Sequence, residues 1–216
     1  MRRPAALALL GLAVLATACS DDGPASRDTT SVSTTTTTAA DGDQASLDAL
    51  LIDPDDLPGE FTASSAVDDT ITAFCAGEDA TAGLQATGRA AQGLSRAGGG
   101  ASVIQLVFRF RAGDAAAFVD QAGAILERCS GVPDATGLAF DYEPLQPSVE
   151  APVAQASDAH VGRYGVNVGS GDLSIELVVL RSGDVGQLVA VLGLDTPRAL
   201  LDDLATVAFT AAAERL

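Results

Sequence analysis

The side chains able to do covalent or acid–base chemistry are few, and their spacing suits none of the usual machinery. There are three cysteines, Cys19, Cys75 and Cys129, and one histidine, His160. No G-x-S-x-G is present, and no Ser or Cys stands at a recognisable spacing from His160, so a nucleophile held against a base is not spelled out. His160 falls in phase with Gly162, Tyr164, Val166 and Val168 on the apolar face of a predicted strand, where a structural role is the simpler reading than a general base. One His and the two cysteines after Cys19 do not supply three or four zinc ligands. Asp53, Asp55 and Asp56 cluster, but they enclose Pro54 and lack the Gly and terminal Glu of an EF-hand loop; acids at a helix start are the better reading. Gly169-Ser170-Gly171 has no helix after it and is not a dinucleotide fingerprint. Paired carboxylates for glycoside hydrolysis could hide among 29 acids, since sequence spacing does not report their separation. No catalytic residue, metal ligand or cofactor is implied.

The arginines are the other reactive inventory. All 12 basic residues are Arg, so chemistry that needs a lysine, Schiff bases and P-loops included, is excluded. A formal charge of -17 opposes nucleic-acid binding, because nothing offsets phosphate repulsion. Arg109 and Arg111 lie two apart on the polar face of one predicted strand, and Arg163 and Arg181 lie on others. Converging, they would grip an anionic head group or carboxylate bidentately. The competing reading for each is a solvated arginine paired with a local acid.

Elements must position these residues, and the first of them is an address. Residues 1–19 have the three parts of a secretory leader: Arg2 and Arg3, an apolar run over 5–16, and small residues before Cys19. Twelve apolar residues are too few to span a bilayer, which wants about 20. A cysteine after small residues resembles the bacterial lipobox, in which the cysteine is diacylated on sulfur and becomes the N-terminus. The pattern usually has Leu three residues before the cysteine, whereas Ala16 stands there. The alternative is an ordinary cleaved signal peptide with a stray cysteine. Residues 20–46 hold acids, Gly, Pro and a hydroxyl-rich run, a composition that buries no core and predicts a disordered tether to a membrane anchor.

Residues 47–216 are one domain's worth of chain, with a core of small aliphatic side chains, since the whole sequence is 47% apolar but only 4% aromatic. With Cys19 set aside, two cysteines remain in a chain bound for an oxidising compartment. This predicts a Cys75–Cys129 disulfide. Residues 102–111 alternate, with Ile104, Leu106, Phe108 and Phe110 on one face and Gln105, Arg109 and Arg111 on the other, as in a half-buried strand. Gly113 and Asp114 open a helix whose stripe runs Ala115, Phe118, Val119, Ala122, Ile125, Leu126 and Cys129. Residues 173–181 and 185–192 read as an apolar hairpin turning at Ser182-Gly183, central in the sheet. Thr196 and Pro197 then open a last helix with Leu200, Leu204, Val207, Ala208 and Ala211 as its apolar stripe. Weaker strands fall at 88–97, 138–145 and 160–168. Strands that follow one another in hairpins define an α+β fold: a twisted antiparallel sheet with helices packed on it.

The segment Leu50-Leu51-Ile52-Asp53-Pro54-Asp55-Asp56-Leu57-Pro58-Gly59-Glu60-Phe61 resembles the opening of a group of actinobacterial lipoproteins similar to the extracellular sensor domain of the mycobacterial serine/threonine protein kinase H. The resemblance continues through a mid-chain cysteine, a strand–helix segment ending in a second cysteine, and a final hairpin and helix. It implies a twisted antiparallel sheet backed by helices, with a cleft for an unidentified ligand. That sensor carries two disulfides and this domain can form one, so details of the cleft do not transfer. The expectation is a non-enzymatic, membrane-anchored extracytoplasmic module that binds a small molecule, lipid or cell-wall fragment. The second reading is a module that docks an envelope protein and has no small-molecule site; a hydrolase using paired acids is third.

Overall fold

The computed structural model describes residues 41–64, 73–74, 78–128, 132–133, 139–143, 158–167 and 171–216. Among these, eight strands form one antiparallel sheet in the order β1-β4-β5-β10-β9-β8-β7-β6, where β1 is Phe61–Ala63, β4 Ala86–Arg96, β5 Ala101–Phe110, β6 Val132–Pro133, β7 Ala139–Glu143, β8 Asp158–Asn167, β9 Asp172–Ser182 and β10 Val185–Leu194. A separate two-stranded ribbon pairs β2, Ala73–Phe74, with β3, Glu78–Asp79. The helices are α1 (Asp41–Asp48), α2 (Asp114–Arg128) and α3 (Arg198–Arg215), with a 3-10 turn at Pro54–Asp56. The α+β class, the antiparallel sheet and the central place of the last hairpin all agree with the expectation.

The sheet is covered on both faces, which separates the structure from a simple half-buried sheet. Residues opposite one another in the register share a face, so two rows define one side: Gln92, Gln105, Val189, Val178 and Val161, then Leu94, Val103, Val191, Glu176 and Arg163. Helix α3 lies on this side, burying Leu201, Leu204, Ala205, Ala208, Phe209 and Ala212 against Val103, Val178, Leu180, Val189 and Val191. Leu47 of α1 is buried beside it against Ala90 and Val107. The opposite face carries Leu106, Phe108, Phe110, Val179 and Leu188, and α2 buries Ala115, Phe118, Val119, Ala122, Ile125 and Leu126 on it. Phe108, Phe110 and Phe118 pack ring to ring with centroids 5.3 to 5.6 Å apart.

Several expectations shift once both faces are filled. The strand expected to be half-buried, β5, is covered on both sides, and Gln105 is fully buried. Its amide is satisfied by the chain that crosses over it: Oε1 accepts from the Ile52 N–H (2.7 Å) and from Gln92 Nε2 (2.8 Å), and Nε2 donates to the Leu50 carbonyl (3.0 Å). A polar residue in phase with Arg109 and Arg111 looked solvent-facing, but a buried amide is equally at home where backbone groups need partners. In α3 the buried stripe is turned from the one expected. Leu201, Ala205 and Phe209 face the sheet, whereas Leu200 is 38% exposed. The helix begins one residue later than expected, with Pro197 at its N-cap, because the Thr196 hydroxyl donates to the Gly100 carbonyl (2.5 Å) instead of capping.

The folded chain also starts before residue 47. Residues 41–46 belong to α1, whose Gln44 Nε2 donates to the Arg89 carbonyl (3.1 Å) while Asp43 and Ser46 bond to Arg109. Tether-like composition hid these contacts, which are polar and made by an eight-residue helix with one buried anchor. The last hairpin turns at Gly183-Asp184, with Ser182 opposite Val185 and Gly183 at φ +59, a conformation glycine adopts without strain. The leader, the tether up to residue 40, Cys19, Cys75 and Cys129 lie outside the described residues.

Candidate functional site

Among the described residues, α2 is the helix packed on the sheet face that carries Leu106 and Leu188. Its Phe118 and Val119 lie over Phe108, Phe110, Leu188 and Val179, and Gly123 sits against His160. On the same face two further rows run across five strands: Gly93, Ile104, Ala190, Leu177 and Gly162, then Ser95, Ser102, Leu192, Ile175 and Tyr164. Five strands at about 4.8 Å spacing make this floor about 20 Å wide. Ala190, Leu177 and Tyr164 are buried, while Ile104, Ile175 and Leu192 are half-buried against the same core. Leu173 and Leu194 extend the surface by one more pair, and Leu194 is 43% exposed. No position in these rows is charged, so the floor offers apolar area, two serine hydroxyls and small residues that let a ligand approach the backbone. That chemistry is binding by burial of apolar surface.

The sequence-derived arginines are not part of this floor, nor do they converge. Arg109 stands on the α3 face at the other end of the sheet, where it pairs with Asp43 (3.1 Å), donates to Ser46 Oγ (3.1 Å) and lies 4.0 Å from Asp184. Arg181, on the α2 face, pairs with Asp158 (2.5 Å), the residue opposite it on β8. Arg111 follows β5 and is exposed, its N–H bonded to the Gln85 carbonyl at 3.1 Å. Arg163 is buried. It donates to Glu176 on β9 and to Asp202 on α3, so its charge is spent on holding a helix to the sheet. An acid-rich chain gives Arg109, Arg163 and Arg181 each a nearby carboxylate, and local pairing wins over convergence.

Glu176 and Asp202 were not found from the sequence. The signal was present in Glu176, a lone acid within the apolar run 173–180, which has to meet a cation if its strand is central. Its side chain is 1% exposed and its Oε2 makes no hydrogen bond. Burial pushes the Glu176 carboxyl above its ordinary value. The hydrogen bond and charge of Arg163 pull the other way, and Asp202 adds to the rise.

The remaining polar residues have structural places. His160 is half-buried with its ring against α2, where a methyl group on Gly123 would stand 2.5 Å from Nε2. Asp53 caps the 3-10 turn by accepting from the Asp55 N–H (3.0 Å), and Asp56 pairs with Arg215 at the end of α3. Among the described residues no group of three His, Cys, Asp or Glu side chains is placed to hold a metal ion, and no helix is long and apolar enough to cross a membrane.

An antiparallel sheet with α3 on one face and α2 on part of the other is an α+β arrangement shared with extracellular domains of known structure. The chain matches the crystal structure of the extracellular domain of PknH from Mycobacterium tuberculosis with a TM-score of 0.52 and 17% identity, over 78% of this chain and 95% of that one. The likeness to that kinase's extracellular domain, read from the segment 50–61 and the order of elements, therefore holds at the level of fold. No protein-family model and no curated protein matches the sequence.

Proposed function

We propose that the chain is a non-enzymatic, extracytoplasmic ligand-binding or sensor-like module. The observation that carries this reading is the uncharged, half-buried floor beside α2, formed by Ile104, Ile175, Leu192 and Leu173 over Leu177, Ala190 and Tyr164. Its ligand is a molecule with an extended apolar part, such as a lipid or an apolar cell-wall fragment, since an anionic group would find no cation in these rows. The fold shared with an extracellular domain supports an extracytoplasmic location. Native mass spectrometry of the mature chain, with Cys19→Ser to keep it free of lipid, tests the reading after incubation with an envelope extract. A discrete added mass is expected, lost in Leu192→Asp. A bare domain whose lipid-bearing form crosslinks one envelope protein instead replaces it with a protein-docking module.

Two covalent features belong to the same proposal. Cys19 is the lipidated N-terminus that ties the domain to the membrane, and mass spectrometry of the mature protein is expected to find diacylated Cys19. An unmodified terminus elsewhere rejects the anchor. Cys75 and Cys129 form the single disulfide of the domain. The ion pair between Arg128, which precedes Cys129, and Glu78, three residues after Cys75, at 2.5 Å supports this pairing by bringing the two stretches together. The loop so closed is worth about 4 kcal/mol in the chain-entropy view. Two thiols titrating in oxidised, denatured protein would rule it out.

A further inference from the structure

The Arg163 guanidinium is placed between two carboxylates that belong to different layers. Its Nε donates to Glu176 Oε1 on β9, and its Nη2 donates to Asp202 Oδ1 on the first turns of α3. Arg198, one turn before Asp202, approaches the same carboxylate at 3.9 Å. Glu176 and Arg163 lie opposite one another in the register, with Val191 opposite Glu176 on the other side and the β7 residue Glu143 opposite Arg163. Of the two carboxylates bonded to Arg163 here, Glu176 is the more deeply buried and has one oxygen, Oε2, without a hydrogen bond.

We propose that this triad is a proton-operated latch on α3: as pH falls, Glu176 Oε2 takes up one proton, and Arg163 loses Glu176 as an anionic partner while keeping Asp202 on the helix. The groups facing Glu176 are Arg163 from β8 and Asp202 and Arg198 from α3. The carboxyl is already shifted upward by burial despite Arg163, which means the folded protein holds the proton more tightly than the unfolded chain does. A group raised in this way contributes stability that is complete below its unfolded value and is lost as pH rises through its folded value. The contribution of Glu176 therefore grows on acidification, opposite in sign to that of an ordinary salt-bridged acid. Asp202, on the helix, is the partner that Arg163 keeps. The latch responds to local acidity at α3, on the face away from the ligand floor, and does not depend on the reading of that floor.

The test compares urea unfolding of the full mature chain with that of Glu176→Gln and Asp202→Asn between pH 7.5 and 5. The folded-to-unfolded ratio of the wild type, divided by that of Glu176→Gln, is expected to rise as pH falls, by at most about tenfold per pH unit for one proton. Asp202→Asn, which removes a lesser contributor beside burial to the rise at Glu176, is expected to shrink this rise. If Glu176→Gln fails to fold, carbon-detected NMR of wild-type glutamate carboxyls provides the reading. One of them is expected to titrate above the ordinary glutamate range while α3 amides near Asp202 shift with the same midpoint. Parallel stability profiles, or glutamates that all titrate in the ordinary range, would overturn the latch.

Discussion

The two faces of the sheet are closed by different means. On the α3 side the cover is continuous: α3, the 50–57 segment and α1 are fixed by directional polar links, namely Gln105 to the backbone of Leu50 and Ile52, Arg215 to Asp56, Arg109 to Asp43 and Arg163 to Asp202. On the α2 side the packing is apolar, around Phe108, Phe110 and Phe118, and leaves Ile104, Ile175 and Leu192 half-buried. Directional contacts hold elements in one place, whereas a half-buried apolar surface accepts many shapes. On the function proposed above, the α3 face is scaffold and the half-buried rows of the α2 face are the recognition surface.

Substitutions that empty each core should break the comparison most severely. Phe118→Ala under α2 and Phe209→Ala under α3, both fully buried, are each expected to cost about 3–5 kcal/mol in urea unfolding. Hydrogen exchange should then set them apart: Phe118→Ala frees α2 and leaves α1 and the 50–57 segment protected. A smaller effect is expected from Gly186→Ala, since an added methyl would stand 2.8 Å from the Phe118 ring and 2.9 Å from that of Phe110. Overpacking of that kind costs about 1–3 kcal/mol, and the loss should appear as a lower melting temperature with unchanged α3 exchange.

Floor substitutions sharpen the contrast instead. Leu192→Asn, at a half-buried position, is expected to cost about 1 kcal/mol of stability while abolishing ligand retention in native mass spectrometry. At the small end, Arg109→Ala should cost under about 1 kcal/mol, because its partner Asp43 is 65% exposed, yet it should speed amide exchange in α1 several-fold.

The sequence displayed the apolar scaffold well and its polar fastenings poorly. Alternation in residues 102–111 and the helical stripe from Ala115 to Leu126 located β5 and α2, since a buried apolar side chain leaves a periodic trace. Gln105, Arg163 and Asp202 leave none. Each looks solvent-facing until a second element arrives to bury it, and which acid meets which arginine is decided by strand order and helix placement. The floor was invisible for a related reason: Ile104, Ile175 and Leu192 have the same pattern as core residues, and only the packing in three dimensions shows that they are half-buried.

The most direct test of the central claim is methyl NMR of the mature chain, labelled at Ile, Leu and Val, titrated with an extract of envelope lipids. The account predicts saturable shifts at Ile104, Ile175, Leu173 and Leu192, with Leu201, Leu204 and Val178 on the α3 face unmoved. Shifts centred on the α3 face, or none at any concentration while an envelope protein perturbs the floor, would contradict it.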